Sequence, residues 1–101
     1  MTVAEVKKEK EFISNTIKEM LEHYSKEQQV MQSIEEMSEL IKELIKNINR
    51  NSHNKDSIME EIADVKIMLI QLQKIYKFKN EDIRKIIINK LERQKKRMEE
   101  I

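Results

Sequence analysis

Glycine, proline, cysteine and tryptophan are all missing from this 101-residue chain. Tight turns between β-strands lose their usual residues without glycine and proline, so helices throughout are expected and a sheet protein is disfavoured. The lack of glycine also removes the P-loop and the dinucleotide fingerprint. Without cysteine there is no disulfide, no zinc–thiolate site and no thiol nucleophile. Aromatic residues amount to only 4%, which leaves Ile, Leu and Met to build the core. No apolar run approaches the roughly 18 residues of a membrane-spanning helix. The lysines near Met1 are not followed by the apolar segment of a signal peptide. A soluble, cytoplasmic protein with no membrane partner is therefore expected. An excess of charge is lacking as well: the formal net charge is +1, so no whole-chain field favours a polymeric nucleic acid.

What is present fits amphipathic helices, with 39% charged and 39% hydrophobic residues. The length suits a single domain spanning residues 1–101. So small a domain buries only about two-thirds of its unfolded surface, which makes oligomerisation a reasonable expectation. Thr2 with Glu5 forms a Thr-x-x-Glu capping box and predicts a first, peripheral helix from Val3 to about Tyr24. Ser25 with Gln28 predicts a second from Lys26 to about Ile48. In it Val30, Ile34, Met37, Ile41, Leu44 and Ile48 form a heptad seam, while Gln29, Gln32, Glu36, Glu39 and Glu43 fall on another side. The polar stretch Asn47 to Asp56 reads as a loop carrying His53. Ser57 with Glu60 predicts a capping box opening a third helix that runs to about Tyr76. This helix is apolar on nearly all sides and so is expected at the centre. Asn80 is a candidate N-cap for a fourth, Glu81 to about Glu99. The expected fold is all-α: a bundle of about four helices with the second and third as its central pair, completed by oligomerisation.

Two short acidic signatures stand out. Glu36 and Glu39 lie three residues apart in Glu35-Glu36-Met37-Ser38-Glu39, as do Glu61 and Asp64 in Glu60-Glu61-Ile62-Ala63-Asp64. That spacing puts each pair on one helix face, about one turn apart. Glu61 and Asp64 share their sector with Met68, Leu72 and Ile75, so they continue an apolar face. Carboxylates on such a face need a counter-ion. Lysine or arginine would give a structural salt-bridge network; a hard divalent cation, which prefers oxygen ligands, would serve equally. On the fourth helix Ile83, Ile87 and Ile101 mark a stripe that also holds Lys90, Gln94 and Arg97. Cations there suit an acidic or phosphate-filled cleft, or else snorkel outward. A Glu-x-x-His di-iron motif is absent, since neither His23 nor His53 has Glu three residues before it.

Glu-Glu-x-x-Glu at Glu35 to Glu39, followed by Glu-x-x-Asp at Glu61 to Asp64, resembles the MazG-like all-α nucleoside triphosphate pyrophosphohydrolases. That superfamily also holds the dimeric dUTPases and the phosphoribosyl-ATP pyrophosphohydrolases. His23-Tyr24-Ser25-Lys26-Glu27-Gln28-Gln29 resembles the family's lead-in, with Ser25 at a frequent glycine. Lys90, Gln94 and Arg97 resemble a Lys-x-x-x-Asn-x-x-Arg near the end of several members, with Gln94 in place of Asn. The likeness spans about Glu22 to Met98. It implies that Glu36, Glu39, Glu61 and Asp64 bind Mg²⁺, with Mn²⁺ as a substitute, bridging a triphosphate. The implied reaction converts a (d)NTP to (d)NMP and pyrophosphate. Glu35 or Glu39 would orient or deprotonate the water, and the sequence does not decide between them. Lys90 and Arg97 would grip phosphate oxygens, with Gln94 beside them. Gln29 and Gln32 would contact the base or sugar. The implied partners are a nucleoside triphosphate and further copies of the chain, as a homodimer or homotetramer. The rival expectation from another class is a non-catalytic helical module for self-association or partner binding.

Overall fold

The computed structural model describes residues 1–50 and 53–100. It is an all-α bundle of four helices: α1 Val3–His23, α2 Lys26–Asn49, α3 Lys55–Ile75 and α4 Asn80–Glu99, with no strand among the described residues. None of these helices is long and apolar enough to cross a membrane.

Local chemistry sets the boundaries. The Thr2 hydroxyl accepts from the Glu5 N–H at 3.1 Å and opens α1. At α2 the full capping box forms: Gln28 N–H donates to Ser25 Oγ at 3.1 Å, and Ser25 N–H donates to Gln28 Oε1 at 2.9 Å. The predicted loop from Asn47 to Asp56 is shorter than expected, because α2 runs on to Asn49 and α3 already begins at Lys55. Asn51 and Ser52, within that loop, lie outside the described residues. Asn54 accounts for the difference. Its Nδ2 donates to the Glu43 carbonyl at 2.9 Å and to Glu43 Oε2 at 2.6 Å, while its Oδ1 accepts from Asn47 Nδ2 at 3.0 Å. One side chain thus ties the start of α3 to the last turns of α2. Asn54, not Ser57, is the N-cap, so the Ser57–Glu60 box is not how α3 begins. Asn80 is likewise the first residue of α4, after an N-cap at Lys79, and its Oδ1 accepts from Gln73 Nε2.

The end of α3 shows the cost of having no glycine. Phe78 N–H donates to the Gln73 carbonyl at 2.9 Å and Lys77 N–H to that of Lys74 at 3.2 Å, a Schellman closure. The left-handed position in it is Lys77, at φ 59°, where a Cβ costs about 1 kcal/mol or more relative to glycine. Tyr76 and Phe78 stack at 5.8 Å over this turn.

Packing is uneven. The main interface is α2 against α3; α1 rests more lightly on α3, and α4 makes no interface of comparable extent among the described residues. Among the described residues, only Ile17, 3% exposed, and Met68, 7% exposed, are buried hydrophobic residues, and the other buried side chains there are polar: Gln29 at 5%, Ser33 at 1% and Gln71 at 2%. Conversely Ile34, Ile41, Leu44 and Ile48 of the heptad seam are exposed, as are Ile86, Ile87, Ile88 and Leu91 on α4. As expected of a central helix, α3 packs against both α2 and α1, but it is not buried as a whole: Met59, Ile62, Ile67, Leu69 and Ile70 face outward. Ile101, expected on the α4 stripe, lies outside the described residues. The radius of gyration is 17.1 Å, against about 13 Å for an ordinary 100-residue domain. The accessible surface is 8998 Å², where a well-packed monomer of this mass exposes roughly 6,000 Å².

Candidate metal centre and adjoining cleft

The two acidic signatures meet on the inner side of the α2–α3 pair. Along α2, Gln29, Ser33, Glu36, Leu40 and Glu43 recur at helical spacing and are buried or half-buried. On α3 the matching face carries Glu61, Val65, Met68 and Gln71. Because the helices are joined by a short connection and run antiparallel, the levels of Glu36 and of Glu61 with Asp64 coincide. Carboxylate oxygens of these three residues all lie within 4.8 Å of one another. Glu39 stands off this trio, with Oε1 3.9 Å from Lys42 Nζ, yet its charge still acts on Glu61.

Electrostatics make Glu61 the focus. Burial first, then the charges of Asp64, Glu36, Glu39 and Glu43, push its carboxyl above the ordinary value of 4.5. Its Oε2 is shielded from solvent and has no hydrogen-bond partner among the described residues. Among the described residues, no ion pair reaches Glu36, Glu61 or Asp64; the nearby lysines Lys42 and Lys46 are engaged with Glu39 and Glu43. The salt-bridge network weighed from sequence is thus not what these three acids form. An orphaned oxygen, an all-carboxylate donor set and mutual distances of this size fit a hard divalent cation. Glu43 behaves oppositely: the Asn54 hydrogen bond, outweighing partial burial and assisted by Lys46 and Lys42, holds its carboxyl below the ordinary value.

A cleft of about 760 Å³ opens beside the trio and is lined by Gln29, Gln32, Glu35, Met68 and Gln71 with residues of α1. Gln32 Nε2 donates to Glu36 Oε1 at 2.7 Å, which joins cleft to acids. Gln29 Nε2 donates to the carbonyls of Tyr24 at 3.1 Å and Met20 at 3.4 Å. Of the residues singled out from sequence, Glu36, Glu61 and Asp64 are brought together, Gln29, Gln32 and Glu35 line the cleft, and Glu39 flanks the acids. Lys90, Gln94 and Arg97 are exposed on α4, a helix with no substantial packing against the acidic face of its own chain. Three participants escaped the sequence reading: Gln71, Ser33 and the Asn54–Glu43 tie. The signal for Gln71 was available, since it continues the Asp64–Met68 face of α3 at helical spacing. No family model, curated protein or solved structure matches the chain.

Proposed function

We propose that this chain is a Mg²⁺-dependent nucleoside triphosphate pyrophosphohydrolase of the MazG-like kind, with Mn²⁺ able to substitute. The observation that carries the reading is the convergence of Glu36, Glu61 and Asp64 within 4.8 Å, without a cationic partner among the described residues, linked through Gln32 to a cleft large enough for a nucleoside. Glu36, Glu61 and Asp64 would hold the metal, with Glu39 beside them. Held by these carboxylates, a bound Mg²⁺ would supply neutralisation of charge on phosphate oxygens and a lowered pKa for a water. The reaction consumes one water, breaks the anhydride between the α- and β-phosphates, and yields nucleoside monophosphate, pyrophosphate and a proton. Glu35 lines the cleft and Glu39 does not, which favours Glu35 as the residue that orients the water and takes its proton. Gln32 holds Glu36 in place through its amide. A cytoplasmic setting accompanies this reading, since nucleoside triphosphates are made and used there.

The working unit in this proposal is a homodimer or homotetramer. Its support is the roughly 3,000 Å² of surface beyond what a packed monomer of this size exposes, much of it along the α2 seam and α4. An interface of that order is typical of obligate dimers. Lys90 and Arg97, with Gln94 beside them, would then grip phosphate oxygens at a site where another copy's α2–α3 pair meets α4. The second reading, a purely associative helical module, is favoured by the same exposed seam and assigns the acids no chemistry.

Pyrophosphate release from a panel of NTPs and dNTPs separates the two. Turnover with Mg²⁺ that drops more than about 100-fold in Glu36→Gln and Asp64→Asn is expected, because even outer partners of metal sites are worth about 10–100-fold. A wild-type chain that releases no pyrophosphate from any of them leaves the associative module standing.

A further inference from the structure

Gln71 has no part in the proposed reaction, yet it is among the most buried side chains of the protein, at 2% exposure. Among the described residues its Nε2 donates only to the sulfur of Met20, at 3.6 Å, and sulfur is a weak acceptor. Gln29, 5% exposed, has its amide fixed by two backbone carbonyls, and its Oε1 is buried without a partner. A core that buries two carboxamides this incompletely forgoes stability that Leu or Met would supply at the same positions. Both amides line the one cleft beside the acids, together with Met20, Tyr24, Met31 and Met68.

Their register is the informative part. Gln29 lies seven positions before Glu36 on α2, and Gln71 seven after Asp64 on α3. In an antiparallel pair these displacements point the same way, and each amounts to about 10 Å along the axis. The carboxamides therefore form a second polar level, offset by two turns from the carboxylate level. The same cleft is lined by the thioethers of Met20, Met31 and Met68 and the phenol of Tyr24, surfaces suited to the faces of a flat ring. We infer that Gln71, backed by Gln29, reads the hydrogen-bonding edge of a nucleobase held in this cleft, and so sets which nucleotide the chain prefers. A carboxamide carries a donor and an acceptor side by side, which matches an amide or amidine edge of a base. This inference rests on the cleft belonging to a nucleotide site.

The test titrates the full-length chain, with ¹³C-labelled methionine methyls, against AMP, GMP, CMP, UMP and dTMP in Mg²⁺, with ribose 5-phosphate as a base-free control. The expected result is that the Met20, Met31 and Met68 methyls move, that one base binds tighter than the others, and that Gln71→Leu weakens that nucleotide about tenfold while ribose 5-phosphate binds as before. A change of the preferred base in Gln71→Glu, which keeps the shape but offers only acceptors when ionised, supports the same conclusion. Methyl signals that stay still with every nucleotide, or a base ranking identical in wild type and in both variants, would overturn it. Wild-type methyls that stay still overturn the inference whatever the variants do, and should Gln71→Leu not fold, Gln71→Asn, which keeps the carboxamide but shortens its reach, takes its place in the comparison of rankings. Base-selective binding without pyrophosphate release keeps the pocket and removes the reaction; pyrophosphate release with a ranking indifferent to Gln71 does the reverse.

Discussion

Along α2, the side packed against α3 carries Gln29, Ser33, Glu36, Leu40 and Glu43, whereas the side turned away carries Ile34, Ile41, Leu44 and Ile48, with Val30 and Met37 of the same seam half-buried. An ordinary helix in a globular domain is arranged the other way, apolar stripe inward and polar face in water. The inner face is costly to bury and would weaken a fold that had no use for it. The outer face is costly to leave wet, and its seam is spaced for another helix. Both departures make sense at once if the inner side is a ligand site and the outer side a subunit interface.

The largest effect that would break this contrast comes from the outer face. If the proposed homodimer or homotetramer forms through this seam, Ile41→Glu with Leu44→Glu is expected to dissociate it and cost about 3 kcal/mol or more, since each side chain is worth about 1.5–3 kcal/mol when buried. Sedimentation equilibrium and urea melts check it. On a true monomer surface such changes stay within about 0.5 kcal/mol, and that outcome would remove the interface.

The proposed metal centre on the inner face is tested by metal and pH together. At a hundredfold excess over its dissociation constant, Mg²⁺ should raise stability by about 2.7 kcal/mol. Glu61 has a folded pKa above its unfolded one, so without metal the folded state loses stability as pH rises through the window above 4.5. Cation binding needs the ionised acids, so the Mg²⁺ effect should fade as pH falls back through that window. Thermal melts at several pH values, with Mg²⁺ and with a chelator, measure both trends. Glu61→Gln should raise the melting temperature in chelator and abolish the response to Mg²⁺; an unchanged response would sink the metal centre.

Two smaller changes sharpen the picture at the connections. Asn54→Ala should cost about 1 kcal/mol through the lost bond to the Glu43 carbonyl. It should also return Glu43 toward its ordinary value. Glu43 stabilises the fold above 4.5 and loses that contribution as pH falls, so the variant should lose less stability on acidification than wild type. Lys77→Gly, at the left-handed position before α4, should add up to about 1 kcal/mol in denaturant melts by relieving the Cβ clash. No gain there would mean that the flexibility added to the unfolded chain cancels the relief.

Much of this was legible in the residues. The missing glycine and proline, the Thr2 and Ser25 caps and the seven-residue apolar repeats suffice for four helices, and i, i+3 spacing suffices to pair Glu61 with Asp64. Those are local properties, governed by backbone sterics and by the period of a helix. Where α3 begins was not legible, because Asn54 spends its side chain on Glu43 across the connection instead of on its own helix.

The sequence alone determined the helices, the acidic pairs and the existence of two unlike faces on α2. Only the tertiary structure decided which of those faces turns inward. Periodicity assigns side chains to sectors of one helix and says nothing of what lies opposite. Placing α3 against the polar sector is what crowds Glu36, Glu61 and Asp64 together, buries Gln29 and Gln71 at one level, and leaves the isoleucines outside.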